Sequence, residues 1–377
     1  MTGVAAIRQN GPHVPVKGNV RAPGRQTGRQ QQTKQAPRHT SPRRSQFCHS
    51  ISNEGLFTVN LSLFPAEPAF RDRLSARLRA LAAEGVYFGT SSWKYPGWLG
   101  QIYTPERYFT RGRFSQKKFE SECLTEYAEV FPAVCGDFSF YQFPSPDYWK
   151  KLFAAAPASL QFAFKVPEEI TVREWPTHLR YGARGGSLNE SFLNAELFQS
   201  AFLRPLEPYR ERIGAMIFEF GTLPKRHYEG VEPFVADLSG FLDQLPSGWR
   251  YSVEIRNKEF FEERYFQALR RRNVSHVFNS WTRMPELPEQ LAQPGSFTAD
   301  FVVARALLRH GRAYEQAVEK FQPYKEIQEP NPPAREGLKE ILERARNKRQ
   351  LAFLFVNNRL EGNAPGTIAE VTGLASD

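Results

Sequence analysis

Tyr251-Ser-Val-Glu-Ile-Arg-Asn257 is a short apolar run that closes on an acid and a base two residues apart. In an extended strand, residues i and i+2 share a face, so Glu254 and Arg256 point one way and Val253 and Ile255 the other. Charge therefore sits at the end of a strand whose remainder is suited to burial. Three further runs end the same way: Phe162-Ala-Phe-Lys165, Phe301-Val-Val-Ala-Arg305 and Leu351-Ala-Phe-Leu-Phe-Val-Asn-Asn358. The repetition predicts parallel strands that deliver polar side chains to one common mouth.

Working outward, strand-like and helix-like segments alternate. Strands are predicted near 86–90, 137–143, 161–166, 214–220, 251–255, 275–279, 300–306 and 351–357. Helices are predicted at 68–84, where Phe70, Leu74, Leu78 and Leu81 form one stripe, and at 119–131, 193–209, 234–245, 260–271 and 336–347. Eight strands separated by helices match an α/β fold of the (β/α)8 TIM-like barrel kind. A doubly wound open sheet that bound a dinucleotide would prefer a glycine-rich turn after its first strand, and Gly89-Thr-Ser-Ser-Trp93 is not one. Two long connections, 168–190 and 307–333, are expected on the mouth side as lids or binding loops.

The chain has 377 residues and a net charge of +10, but the charge is unevenly placed. Residues 1–50 hold nine basic side chains and no acid, which leaves 41 basic against 40 acidic groups in the rest. The body is near neutral, so the overall charge does not indicate a polyanion-binding domain. Rich in Gln, Arg, Pro and Gly, residues 1–50 read as a disordered basic tail. Residues 51–85 read as a lead-in segment with a helix, and 86–377 as the barrel domain. Either the tail is a dispensable extension or it is an arm that clings to phosphates, making nucleic acid a candidate partner. Cys48, Cys123 and Cys135 have no paired or metal-like spacing. No apolar stretch approaches the roughly 20 residues a membrane helix needs. A soluble, cytoplasmic protein is expected; oligomeric state and cofactors are not legible.

An ordered set of short motifs carries a likeness. Gly89-Thr-Ser-Ser-Trp93 with Tyr103-Thr-Pro105, Phe140-Tyr141 with Pro144-Ser145, Phe162-Ala-Phe-Lys165, Ser252-Val-Glu-Ile-Arg256, and Val356-Asn-Asn358 with Gly362-Asn-Ala-Pro365 follow one another at fitting intervals. Together they resemble the domain of unknown function 72 family, also called YecE-like proteins, over roughly residues 86–374. The resemblance implies a (β/α)8 barrel with no assigned reaction, and fold alone does not supply one. The chain departs from the family pattern in two places. Val134-Cys-Gly-Asp137 stands where the family usually reads Val-Glu-Ile-Asn, and Thr171-Val172 where it reads Thr-His.

Barrel active sites lie at the carboxyl ends of the strands, so the candidates are taken from there. Glu254, paired with Arg256 or Arg305, is a candidate base or orienting carboxylate, or else part of an ion pair that fixes barrel geometry. Lys165 is a second catalytic candidate if its amine is desolvated, and an ordinary salt-bridged lysine otherwise. Barrels often bind phosphate between the loops after strands seven and eight, which here begin at Arg305 and Asn357. Free N–H groups at the helix start near Pro365, with Arg305, Asn357, Asn358 and Gly362, would hold a small or terminal anionic ligand. The alternative is a tight turn that closes the barrel. Trp93, with Tyr95, Trp98 and Tyr103, would stack on a sugar or base, or would pack a loop over the rim. Binding of an anionic ligand, with hydrolase or isomerase chemistry, is one expectation; noncatalytic nucleic-acid binding through the tail and these aromatics is the other. No local His or Cys pattern suggests a metal, although one Mg2+ held by carboxylates leaves almost no sequence signal.

Overall fold

The computed structural model describes residues 69–374; the predicted tail and the lead-in up to residue 68 lie outside them. Eight parallel strands close into a barrel. They are β1 (Val86–Thr90), β2 (Ala133–Gly136), β3 (Gln161–Lys165), β4 (Ile213–Phe220), β5 (Tyr251–Ile255), β6 (Ser275–Ser280), β7 (Phe301–Ala306) and β8 (Leu351–Val356). Each pairs with its sequence neighbours, and β1 pairs with both β2 and β8: Gly89 stands opposite Ala133 on one side and Phe355 on the other. The predicted first helix is Phe70–Ala83, with Leu74, Leu78 and Leu81 buried.

Alternation along the strands separates two cores. Ala133, Cys135, Ala163, Ala215, Ile217, Val277, Val303, Phe353 and Phe355 form one buried cluster, the filled interior of the barrel. A larger cluster packs the other strand faces against the helices. Small residues on β2, β3 and β4 make room for the two phenylalanines of β8, so the interior is packed rather than open. Moving two residues up the same face turns Ala163 into Lys165, Ile217 into Glu219, Ser252 into Glu254 and Val303 into Arg305. A charged layer therefore caps an apolar one at the carboxyl end.

Three predicted elements differ. The second strand is 133–136, not 137–143, because Asp137–Phe140 turns into a 3-10 helix directly after Gly136. Its rings face different neighbours: Phe138 packs on Trp149 and Phe164, while Phe140 covers Lys165. The helix predicted over 193–209 is a succession of short α, π and 3-10 turns from Ala195 to Arg212, interrupted where Pro205 and Pro208 remove N–H donors. The long connection after β7 contains the helix Tyr314–Phe321. Among the described residues no helix is long and apolar enough to cross a membrane.

Candidate functional site

The strand register sets Glu219 of β4 directly beside Glu254 of β5. Two adjacent buried carboxylates repel unless cations are supplied, and the neighbouring strands supply them. Arg305 of β7 reaches across the barrel, its Nη1 donating to Glu219 Oε2 at 2.6 Å and to Glu254 Oε2 at 2.5 Å, its Nη2 donating to Asp137 Oδ1 at 3.1 Å. Arg256 Nη2 lies 2.5 Å from Glu254 Oε1 and 3.1 Å from Glu219 Oε2. Lys165 Nζ lies 3.0 Å from the same Glu219 oxygen. Three cations thus converge on one carboxylate oxygen. Burial alone would raise the Glu219 carboxyl, but the charges of Lys165, Arg256 and Arg305 outweigh it and hold the group well below the usual carboxylate range. Burial would lower Arg305; its carboxylate partners keep it well above its ordinary value.

Access divides the cluster. The side chains of Glu254 and Arg305 are 0% and 2% exposed, whereas that of Asp137 is 34% exposed. Glu254 is therefore a buried counter-ion clamped by two arginines and does not reach the mouth as a base. Arg305 is engaged by three carboxylates and does not offer a free fork to an anion. Glu219 keeps 15% exposure and Lys165 9%, so the groups at the open side are Asp137, Glu219 and Lys165. Arg256, under the ring of Trp281 at 3.7 Å, keeps buried Nε and Nη1 atoms with no acceptor among the described residues, as does Nε of Arg305.

The loop after β8 takes the turn reading. Asn357 Oδ1 accepts the Arg359 N–H at 3.0 Å, and Asn358 Oδ1 accepts the Ala364 N–H at 2.8 Å. Asn363 Oδ1 accepts the Gly366 N–H at 2.7 Å, and Pro365 has no N–H, so the helix start is capped from within. Gly362, at φ +112°, lies so close to the Glu326 carbonyl that a Cβ would stand 2.7 Å from it. These residues close the barrel and do not form an anion nest. Trp93, Trp98 and Tyr103 are likewise buried, 4%, 0% and 1% exposed, and pack the loop against the barrel. They present no stacking surface.

Two residues of the cluster were not singled out by sequence. Glu219 lies between Phe218 and Phe220 in the predicted strand 214–220, and its i+2 relation to Ile217 was the available signal. Asp137 is the first residue of the strand predicted over 137–143; the 3-10 turn instead places it beside Arg305. Cys135, at the position where the family pattern has a carboxylate, is an interior thiol pushed up to about 12 by burial, so it stays protonated. Among the described residues no group of three or more His, Cys, Asp or Glu is arranged to hold a metal ion.

Residues 87–376 match the family described as "Protein of unknown function DUF72". The chain belongs to this family. Escherichia coli UPF0759 protein YecE (strain K12) is 23% identical over 217 residues, 56% of this chain and 63% of that protein. The chain thus spans less than two thirds of the length of the curated relatives it matches. A DUF72 family protein from Thermotoga maritima superposes with a TM-score of 0.50 at 19% identity, over 76% of this chain and 98% of that one. Another from Enterococcus faecalis gives 0.49 at 16% identity, over 78% and 97%. The Thermotoga likeness is one of fold, the TIM-like barrel.

Proposed function

We propose that the barrel mouth binds a small ligand through an anionic group, with Lys165 as the cation that meets it, Arg256 as the buried positive charge behind it, and Asp137 as the carboxylate placed to carry a proton. The observation that carries this reading is the surplus of donors in the charged layer. Formal charge is balanced among Asp137, Glu219 and Glu254 against Lys165, Arg256 and Arg305, yet three buried guanidinium nitrogens lack an acceptor among the described residues, against one carboxylate oxygen, Glu254 Oε1, that lacks a donor. A buried donor left unpaired costs about 1–3 kcal/mol. An anion seated at Lys165, the most exposed cation of the layer, offsets this excess of donors. Hydrolase or isomerase chemistry in this reading runs through Asp137, since Glu254 is enclosed.

The test is titration calorimetry of the full chain with inorganic phosphate and with sulfate. Lys165→Met is expected to weaken binding by roughly tenfold or more, about 1.4 kcal/mol. Asp137→Asn, which removes a neighbouring negative charge, is expected to leave affinity unchanged or raise it. Absence of any anion binding to the parent protein sinks the proposal. The reading of residues 1–50 as a phosphate-clinging arm stands apart and rests on their composition alone.

A further inference from the structure

Arg180 lies in the connection that follows β3, and the fold holds it in place from several sides. Its Nη2 donates to both oxygens of Glu168, at 2.6 and 2.7 Å, and the Tyr181 hydroxyl donates to Oε2 of the same carboxylate at 2.8 Å. Glu168 itself is 6% exposed, in the short helix Glu168–Thr171. The guanidinium plane lies over the rings of Tyr141 and Tyr181, with centroids 4.4 and 4.6 Å away. The connection is tied down elsewhere: Asn189 Nδ2 donates to the Glu169 and Val172 carbonyls at 2.8 and 2.7 Å, and Glu174 pairs with Arg226 and His227 at 2.6 Å each.

All of these fixing bonds use one nitrogen. Nε and Nη1 of Arg180 take no acceptor among the described residues, and the side chain is 37% exposed. A guanidinium immobilised on one edge and open on the other has already lost the rotamer freedom that usually weakens an exposed arginine's grip on an anion. Its position relative to the mouth follows from two consecutive residues. Phe140 covers Lys165 Nζ at 3.7 Å, the Phe140 and Tyr141 rings meet at 5.4 Å, and Tyr141 carries Arg180. Lys165 and Arg180 therefore each cover one ring of the same aromatic pair. Tyr141 is 45% exposed, an amphipathic surface between two cations.

We infer that Arg180 is a second anion-recognition point, and that the ligand of this mouth carries two anionic groups joined by a small polar spacer, the chemistry of a bisphosphorylated sugar. The inference rests on the anion reading of Lys165 and Arg256 above. One group meets Lys165, the spacer lies along Tyr141, and the other meets Nε and Nη1 of Arg180.

The experiment compares fructose 6-phosphate with fructose 1,6-bisphosphate as probes, by calorimetry on the full chain at fixed, near-physiological salt, with parent, Arg180→Gln and Arg180→Lys proteins. The parent is expected to bind the bisphosphate roughly tenfold or more tightly than the monophosphate. Arg180→Gln should abolish that preference while keeping the parent's monophosphate affinity, which also shows the variant's mouth to be folded; Arg180→Lys should retain part of it. If the parent binds both probes equally, the second point is overturned and the first stands. Loss of monophosphate binding in Arg180→Gln also overturns it, because Arg180 would then not be a separate point. If the parent binds neither probe, both readings fall together.

Discussion

At the scale of single residues, the charged layer divides into groups that hold the barrel and groups that face its mouth, and exposure decides which is which. Glu254 neutralises two buried guanidinium groups, so removing it leaves both Arg256 and Arg305 without a counter-ion they need. Breaking a buried ion pair by deleting one partner costs roughly 3–5 kcal/mol, against about 1 kcal/mol or less for an exposed one. Glu254→Ala is accordingly expected to lower stability by about 3–5 kcal/mol, read from the denaturant midpoint at unchanged slope. Asp137→Asn, a third exposed and bound through one oxygen, should cost about 1 kcal/mol or less. Equal losses in the two variants would contradict the division. Glu254, Lys165 and Arg305 were legible as strand-end charges because an apolar run that stops on a charge announces its own end. What could not be read was reach. Nothing local in Glu254 distinguishes a carboxylate facing a ligand from one enclosed by arginines, one of which is 51 residues away in sequence.

Among the elements, β1 and β2 approach each other closely, and the closeness there depends on a missing side chain. A Cβ built on Gly89 would lie 2.1 Å from the Ala133 carbonyl oxygen and 2.5 Å from its carbon, both backbone atoms that cannot swing aside. Only two residue pairs join these strands, so the seam has little other pairing to hold it in register. Gly89→Ala should therefore destabilise by about 3 kcal/mol, the upper end of what overpacking costs. Thermal or urea unfolding within about 0.5 kcal/mol of the parent would show that the seam adjusts freely. The motif around Gly89 was visible in the sequence, but the reason for the glycine lies on another strand. The misplacement of β2 has a similar origin. Phe138-Ser-Phe140 alternates like a strand, while the residues that pair, Ala133 to Gly136, are few and small. Alternation alone does not reveal that both rings are needed by different neighbours, one by Trp149 and one by Lys165, and a 3-10 turn satisfies both.

For the molecule as a whole, the two ends of the barrel are chemically different, and the four apolar runs that end on polar residues foretold which end would be charged. A depression of about 660 Å³ opens at the opposite, amino-terminal end, lined by Arg250, Trp249, Arg272 and Asp300 among others, away from the charged layer. Global stability depends on pH through a group at neither end. His276 points outward from β6 among Phe261, Tyr265, Phe266 and Phe278, with Nδ1 3.1 Å from the Tyr265 hydroxyl and the Gln290 side chain as a neighbour that favours the charged ring but is outweighed by burial. Burial pushes its pKa down to about 3, from an ordinary value of 6.5. Above pH 6.5 the ring is neutral in both folded and unfolded chains and the penalty vanishes. Below it the unfolded chain takes up a proton that the folded one refuses, so stability falls with falling pH, by up to about 1.4 kcal/mol per pH unit, until the folded ring also titrates near 3. Glu219, held ionised by its three cations, adds a loss of the same sign, but only once the pH enters the carboxylate range. Glu168, whose carboxyl burial raises, works in the opposite sense, so the difference between the parent and a variant lacking the ring, rather than the slope itself, isolates the histidine. Urea unfolding at pH 7.5, 6.5 and 5.5 should show the parent weakening over the last step and His276→Phe weakening less by about 1 kcal/mol. Parallel pH profiles for the two proteins would mean that the ring is reached by water and protonated in the folded state, which the surrounding phenylalanines are otherwise arranged to prevent.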